Sequence, residues 1–142
     1  MALSDRDRAF LEANRTAAMI TVGADGRAKA ARVAVGLVDD RLWSSGTADR
    51  VRTRRLRRDP RCTLYVHDSR FAFMTLETSV TILEGPDIPA RSVRLFRVLQ
   101  DRPSGPLAWM TGELEEEAFL QAMLDEQRLI YEFEVHRTYG LY

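Results

Sequence analysis

The chain has 142 residues, 45% of them hydrophobic and 30% charged, with 21 basic side chains against 21 acidic ones. These are the proportions of an ordinary globular core, and the expectation is a single domain spanning residues 1–142. A formal net charge of zero excludes a surface built as a whole for nucleic acid or anionic membrane, so any anion site must be local.

The N-terminus, MALSDRDRAF, is charged and carries no apolar signal region, and no later run approaches the roughly 18 apolar residues of a membrane span. A cytoplasmic location is therefore expected. Ser4 with Asp7 three residues on reads as a capping box, opening a first helix over 5–14 whose apolar residues include Phe10 and Leu11. Three antiparallel strands follow, over 17–22, 30–38 and 42–45. Their β-branched and apolar runs are separated by Asp25-Gly26 and Asp39-Asp40, residues that tolerate the positive φ of tight turns.

From Ala48 to Arg58 there is no Gly, Pro or alternation, which predicts an exposed helix ended by Asp59-Pro60. Strands over 61–67 and 71–83 come next, then helices near 90–100 and 113–126 flanking a loop with Pro103, Gly105 and Pro106, and a last strand over 129–135. The tail is His136-Arg137-Thr138-Tyr139-Gly140-Leu141-Tyr142. Hairpin-joined strands outnumber helices, so the fold class is mainly β, an α+β arrangement with a closed or partly closed antiparallel barrel and peripheral helices. A parallel sheet would need crossovers that the first three strands lack.

Several residues read as structural. Cys62, the only cysteine, lies in an apolar run and is expected to be a small buried residue; it excludes an intrachain disulfide. Trp43 is expected in the core, and Trp109 is expected to pack, with a mobile cover over a substrate pocket as the other reading. His67 has no metal-ligand spacing around it and reads as a strand-end residue. The acidic run Glu113 to Glu117 suits a helix start.

The densest signal is the segment 50–61, which holds seven arginines in twelve positions. On a helix Arg50, Arg54 and Arg57 line one side while Arg52 and Arg55 flank it, and like charges at these spacings repel by a few tenths of a kcal/mol per pair. A bound polyanion relieves that repulsion. Ser44-Ser45-Gly46-Thr47 precedes the helix, where free N–H groups and the dipole favour phosphate. The competing reading is a solvated helix whose arginines pair with Glu113, Glu115, Glu116 and Glu117. Nucleic acid is disfavoured, because no aromatic interleaving or second basic face accompanies the helix.

The run from Ser45 to Leu64 resembles the pyridoxamine-phosphate-oxidase-like family, in which a strand ends in small polar residues, a basic pair and Leu follow, and Asp/Asn-Pro-Arg leads into the next strand. TAAMITVGADGRAKAARVAV is similar to that family's opening hairpin, and HRTYGLY to the tail of members that use coenzyme F420, the deazaflavin. The resemblance is weakest between about 85 and 127. It implies a split β-barrel homodimer with cofactor sites at the subunit interface, serving a small-molecule substrate. Carried over by position, Arg52 matches the family's phosphate-binding lysine, Arg50 its basic neighbour, and Thr53 a hydroxyl donor beside them. Ser44, Ser45, Arg54, Arg55 and, from the tail, Tyr139 join this cofactor-binding set. Arg32 stands where relatives turn a polar or basic side chain towards the cofactor, a barrel-rim salt bridge being the other reading.

Arg52 in place of lysine, Arg55 in place of asparagine and Ala28 in place of proline depart from the family pattern. The first two suit a longer anion than one phosphate, which favours F420, with its phosphodiester and glutamate tail, over FMN. The resemblance thus implies hydride transfer to a small electron-poor substrate. Tyr139 or His136 could donate a proton, the other reading being that Tyr139 packs and His136 lies on the surface. A protein that only stores or carries the cofactor fits the same residues.

Overall fold

The computed structural model describes residues 2–110 and 112–142, which form four helices and nine strands. Helix α1 (Asp5–Ala13) opens on the expected capping box: the Ser4 hydroxyl accepts from the Asp7 amide at 3.1 Å, and the Asp7 carboxylate accepts from the Ser4 amide at 2.9 Å. Strands β1 (Thr16–Val22) and β2 (Ala28–Ala34) make a hairpin whose turn holds Gly26 at φ +79°. Strands β3 (Gly36–Val38) and β4 (Arg41–Thr47) make another, with Asp39 and Asp40 both at positive φ in its turn, as hairpin twist requires.

One strand was expected over 30–38, and the structure divides it at Val35. The seven-stranded sheet runs β2-β1-β5-β6-β9-β4-β3, so β2 and β3, consecutive in the chain, stand at its opposite ends. Only Val35 separates them, its amide held by the Arg15 carbonyl at 2.7 Å. The two ends of the sheet must therefore come together, which curls it into a split antiparallel β-barrel.

Helix α2 (Val51–Arg58), β5 (Arg61–His67) and β6 (Phe73–Leu83) follow, then α3 (Ile88–Gln100) with Pro89 in its first turn. A small hairpin, β7 (Leu107–Trp109) with β8 (Gly112–Leu114), occupies a stretch expected to be loop and helix. Helix α4 correspondingly begins only at Glu116 and ends at Asp125. The largest departure is β9 (Arg128–Leu141). Its expected end at Val135 is only a bulge, beyond which Arg137 pairs Glu77, Tyr139 pairs Thr75 and Leu141 pairs Phe73. The polar tail reads as irregular because its side chains stand on the solvent face of a strand.

The barrel is filled by Met19, Val35, Leu56, Leu64, Leu76 and Tyr131, closed at one side by Leu11. A second cluster sets Trp43 and Ile130 against Ile88 and Leu95 of α3, and a third joins Val93, Leu107, Phe119 and Met123. Trp43 is thus core. Trp109 is locked edge-on between Phe96 and Phe119, donates to Glu126 at 2.8 Å and lies under the Arg128 guanidinium, so it packs and does not act as a mobile cover. Cys62 is buried, and burial pushes its thiol up to about 12. No helix among the described residues is long and apolar enough to cross a membrane.

Candidate functional site

Helix α2 begins where β4 ends. Arg50, its N-cap, is extended (φ −65°, ψ 143°) and gives the first turn no side-chain cap. That turn is instead fastened from inside the barrel. The Thr53 hydroxyl donates to the Thr47 carbonyl at 2.7 Å, and the same oxygen meets the Tyr131 hydroxyl. A threonine has one hydroxyl proton, and the Thr47 carbonyl takes it, so Tyr131 is the donor to Thr53. Thr53 and Tyr131 are both fully buried.

This geometry corrects part of the expected set. Thr53 is not a solvent-facing donor beside the arginines, because its hydroxyl is committed within the core. Ser44 and Ser45 point to opposite faces of β4, one registered with Tyr131 and the other with Ile130, and neither Oγ reaches solvent. Both lack a hydrogen-bond partner among the described residues. The small polar run before the helix therefore belongs to the packing around the site, not to its surface.

The arginines remain, and the acids that would neutralise them are elsewhere. Glu113 pairs with Arg102 and Glu116 with Arg97. In the segment itself Arg57 forks onto Glu84, and Arg61 onto Asp59, whose carboxyl that fork pulls down to about 2. Among the described residues Arg54 meets only the Asp49 carbonyl, at 3.1 Å, and Arg58 only the Val22 carbonyl, at 3.4 Å. Arg50, Arg52 and Arg55 have no side-chain partner among the described residues, and the Nε of Arg52 is buried with its proton unaccepted. A buried guanidinium N–H without an acceptor is costly and calls for an ordered water or a bound ion.

Two clefts lie along the β1–β2 hairpin. The first, about 370 Å³, opens between α2 and the turn, and sets Lys29, Arg54, Arg55 and Arg58 around one acid, Asp25, which pairs with Lys29 at 3.1 Å. The second, about 610 Å³, lies toward the other end of the strands and is lined by Ala18, Ala30, Ala31, Arg32, Tyr65 and His67 among others. From Ala18 to Val22, where the turn begins, is about 13 Å along the strand. Lys29 and Tyr65 carried no sequence signal, Arg58 entered only as one of the arginine run, and His67 read as a strand-end residue. Only the register of β1, β2 and β5 gathers them.

Strand register also locates Arg32 and Tyr139. Arg32 faces Ala18, Ala18 faces Tyr65, Tyr65 faces Thr75 and Thr75 faces Tyr139, one row across five strands. Four interstrand spacings put the two ends roughly 19 Å apart along the sheet. Arg32 forms no barrel-rim salt bridge among the described residues. Tyr139 is 45% exposed beneath the Arg137 guanidinium, and the Nε2 of exposed His136 meets the Ser79 hydroxyl at 2.8 Å. Among the described residues no three His, Cys, Asp or Glu side chains group as a metal site.

A curled antiparallel sheet with a cation-rich helix at the end of one strand defines a split β-barrel of the cofactor-binding kind. The chain belongs to the pyridoxamine 5'-phosphate oxidase family, whose model matches residues 3–139. Solved structures share the fold. A conserved protein, Rv2991 of Mycobacterium tuberculosis, superposes with a TM-score of 0.73 at 21% identity, over 98% of this chain and 84% of that one. An F420 reductase gives 0.69 at 20% identity, over 96% and 98%. A heme-binding protein of Mycobacterium smegmatis gives 0.66 at 15% identity, over 94% of this chain and 51% of that one. None of the curated proteins matches the chain.

Proposed function

We propose that the protein is a cytoplasmic, single-domain oxidoreductase that holds coenzyme F420 and reduces a small electron-poor molecule. The observation that carries this reading is the unneutralised set Arg50, Arg52 and Arg55, with the buried, unaccepted N–H of Arg52 at its centre. Arg50 and Arg52 hold the phosphodiester. Arg54, Arg55, Arg58 and Lys29 then take the carboxylates of the glutamate tail, since one phosphate, as in FMN, would leave this second group of cations unmatched. The likeness in fold to an F420 reductase supports the same choice.

When bound, the deazaflavin supplies a ring carbon, C5, that exchanges a hydride with the substrate. The protein's own work is positioning and exclusion of water. The alanine-lined cleft, about 610 Å³, lies on the same hairpin as the cation cluster and is where the deazaflavin ring would rest. Tyr139 or His136 holds a proton for the reduced product. Because Tyr139 lies roughly 19 Å from Arg32 within one protomer, one protomer's tail serves its partner's cleft in a homodimer. The solvent face of the sheet suits that assembly, with Leu141 on β9 64% exposed and Phe71, in the β5–β6 connection beside it, 89% exposed.

Titration with F420 and with FMN tests the cofactor. Affinity for F420 well below 100 μM is expected, and failure of both to bind at that level, about 5–6 kcal/mol, overturns the assignment. Incubation with reduced F420 and a panel of quinones, enones and tetrapyrroles tests turnover. A protein that binds the coenzyme and oxidises none of it is a carrier, not an enzyme.

A further inference from the structure

Of the 21 basic side chains Lys29 is the only lysine; all the others are arginine. The difference is chemical. A guanidinium keeps its proton at any ordinary pH, whereas a lysine can release one and become a nucleophile. Lys29 is thus the one side-chain amine of the protein, and the register of β1 and β2 sets it opposite Thr21, beside the turn that faces α2.

Its surroundings hold it in place. Gly23 has no β-carbon, and one built there would stand 2.7 Å from the Lys29 Cε, so the lysine stem lies close across the turn backbone. Asp25 accepts from its Nζ at 3.1 Å, and the side chain remains 35% exposed. Lys29 therefore borders the cleft of about 370 Å³ whose α2 wall carries Arg54, Arg55 and Arg58. Among the described residues no acid pairs with any of these three arginines: Arg54 and Arg58 meet only backbone carbonyls, and Arg55 has no side-chain partner.

We propose that Lys29 is a covalent modification site, acylated on Nζ by small acyl phosphates that the arginines of this cleft collect. The phosphate of such a donor sits on Arg55 and Arg58, whose charge-assisted hydrogen bonds bring its carbonyl carbon to the amine. The ammonium first gives one proton to water. The Nζ lone pair then attacks the carbonyl carbon, the bond from that carbon to the phosphate oxygen breaks, and phosphate departs with a second proton from the nitrogen, leaving a neutral amide. Acylation removes one cation and strips Asp25 of its partner, so the cleft becomes less welcoming to any polyanion. That this change governs cofactor affinity rests on the F420 reading above; the acylation itself does not.

The test uses the whole protein without cofactor, treated with acetyl phosphate or with the N-hydroxysuccinimide ester of acetic acid, a donor that carries no phosphate. The chain offers two amines, Lys29 and its α-amine, so peptide mass spectrometry reads the ratio of the two products with the α-amine as internal control. That ratio should favour Lys29 about tenfold more with acetyl phosphate than with the ester. Excess inorganic phosphate should suppress the acetyl phosphate reaction at Lys29 and spare the ester reaction. Arg55→Gln combined with Arg58→Gln, neither of which breaks an ion pair, should bring the two ratios together with the circular dichroism spectrum unchanged. Equal ratios for the two donors in wild type, Lys29 left unmodified by acetyl phosphate, or a preference that survives excess phosphate or the double variant overturns the proposal. Because F420 and FMN are absent from these reactions, failure of the cofactor assignment leaves them unaffected, and the reverse also holds.

Discussion

The ring of Tyr131 lies across Gly46 so closely that a β-carbon at position 46 would stand 2.4 Å from its Cζ and hydroxyl oxygen. The absent side chain lets a phenol from β9 cross the neighbouring strand and reach Thr53 in the first turn of α2. Gly46→Ala therefore cannot be accommodated without moving that ring or breaking its hydrogen bond. A loss of about 2–3 kcal/mol is expected in urea unfolding. A variant as stable as the parent would show that Tyr131 has room to yield.

Tyr131→Phe separates the role of that hydroxyl from the role of the ring. The core stays filled, and the loss of one hydrogen bond to Thr53 costs about 1 kcal/mol of stability. If the bond also sets where the first turn of α2 presents Arg52, the variant loses affinity for FMN or F420 but not for riboflavin or the phosphate-free deazaflavin. Equal losses for the phosphorylated and phosphate-free ligands would confine Tyr131 to packing.

Arg52→Ala is expected to weaken cofactor binding by about 1.5–3 kcal/mol, the range of a charge-assisted hydrogen bond. Calorimetric titration reads it directly. Thermal stability should hold or rise slightly, because the substitution removes a buried N–H without an acceptor and relieves repulsion with Arg55 at i+3. Unchanged affinity would remove Arg52 from the site.

Much of this was legible in the sequence, for reasons that differ by residue. The capping box at Ser4 and the Asp39-Asp40 turn are local chemistry, and they stand as read. The arginine helix was legible from composition alone. What sequence could not supply is register. Ser44 and Ser45 looked like ligands because they precede the helix, but strand alternation buries their hydroxyls on two sides of β4. Lys29, Tyr65 and His67 become neighbours of Arg54 or Arg32 only through pairings between distant strands. The solvent-facing half of β9 hid because a strand exposed on one face has no apolar run to betray it.

Cys62 gives a pH prediction with a definite sign. Burial holds the folded thiol near 12, above its ordinary value of 9.0, so the folded state keeps a proton that the unfolded state releases first. Stability is unaffected below about pH 8 and falls as pH climbs from 9 towards 12. Cys62→Ala should lose that part of the alkaline decline, at the cost of a small cavity. The native thiol should also resist alkylation at pH 8 until urea unfolds the chain. Rapid modification of the folded protein would contradict its burial.

The solvent face of the sheet yields the last test. Tyr65, Phe71, Tyr139 and Leu141 are all exposed on or beside strands β5, β6 and β9, an apolar area that a lone protomer leaves in water. If a second copy covers it, sedimentation equilibrium of the parent at micromolar concentration gives twice the 16.2 kDa chain mass. Leu141→Glu places a carboxylate in that contact opposite Phe73, where its desolvation is uncompensated. Dissociation to monomers is expected, with the fold retained because Leu141 supports no core cluster. Cofactor affinity should fall along with it if each site draws residues from both copies. A parent that sediments as a monomer would confine the site to one chain and detach Tyr139 from it, since the register holds Tyr139 four strands away from Arg32.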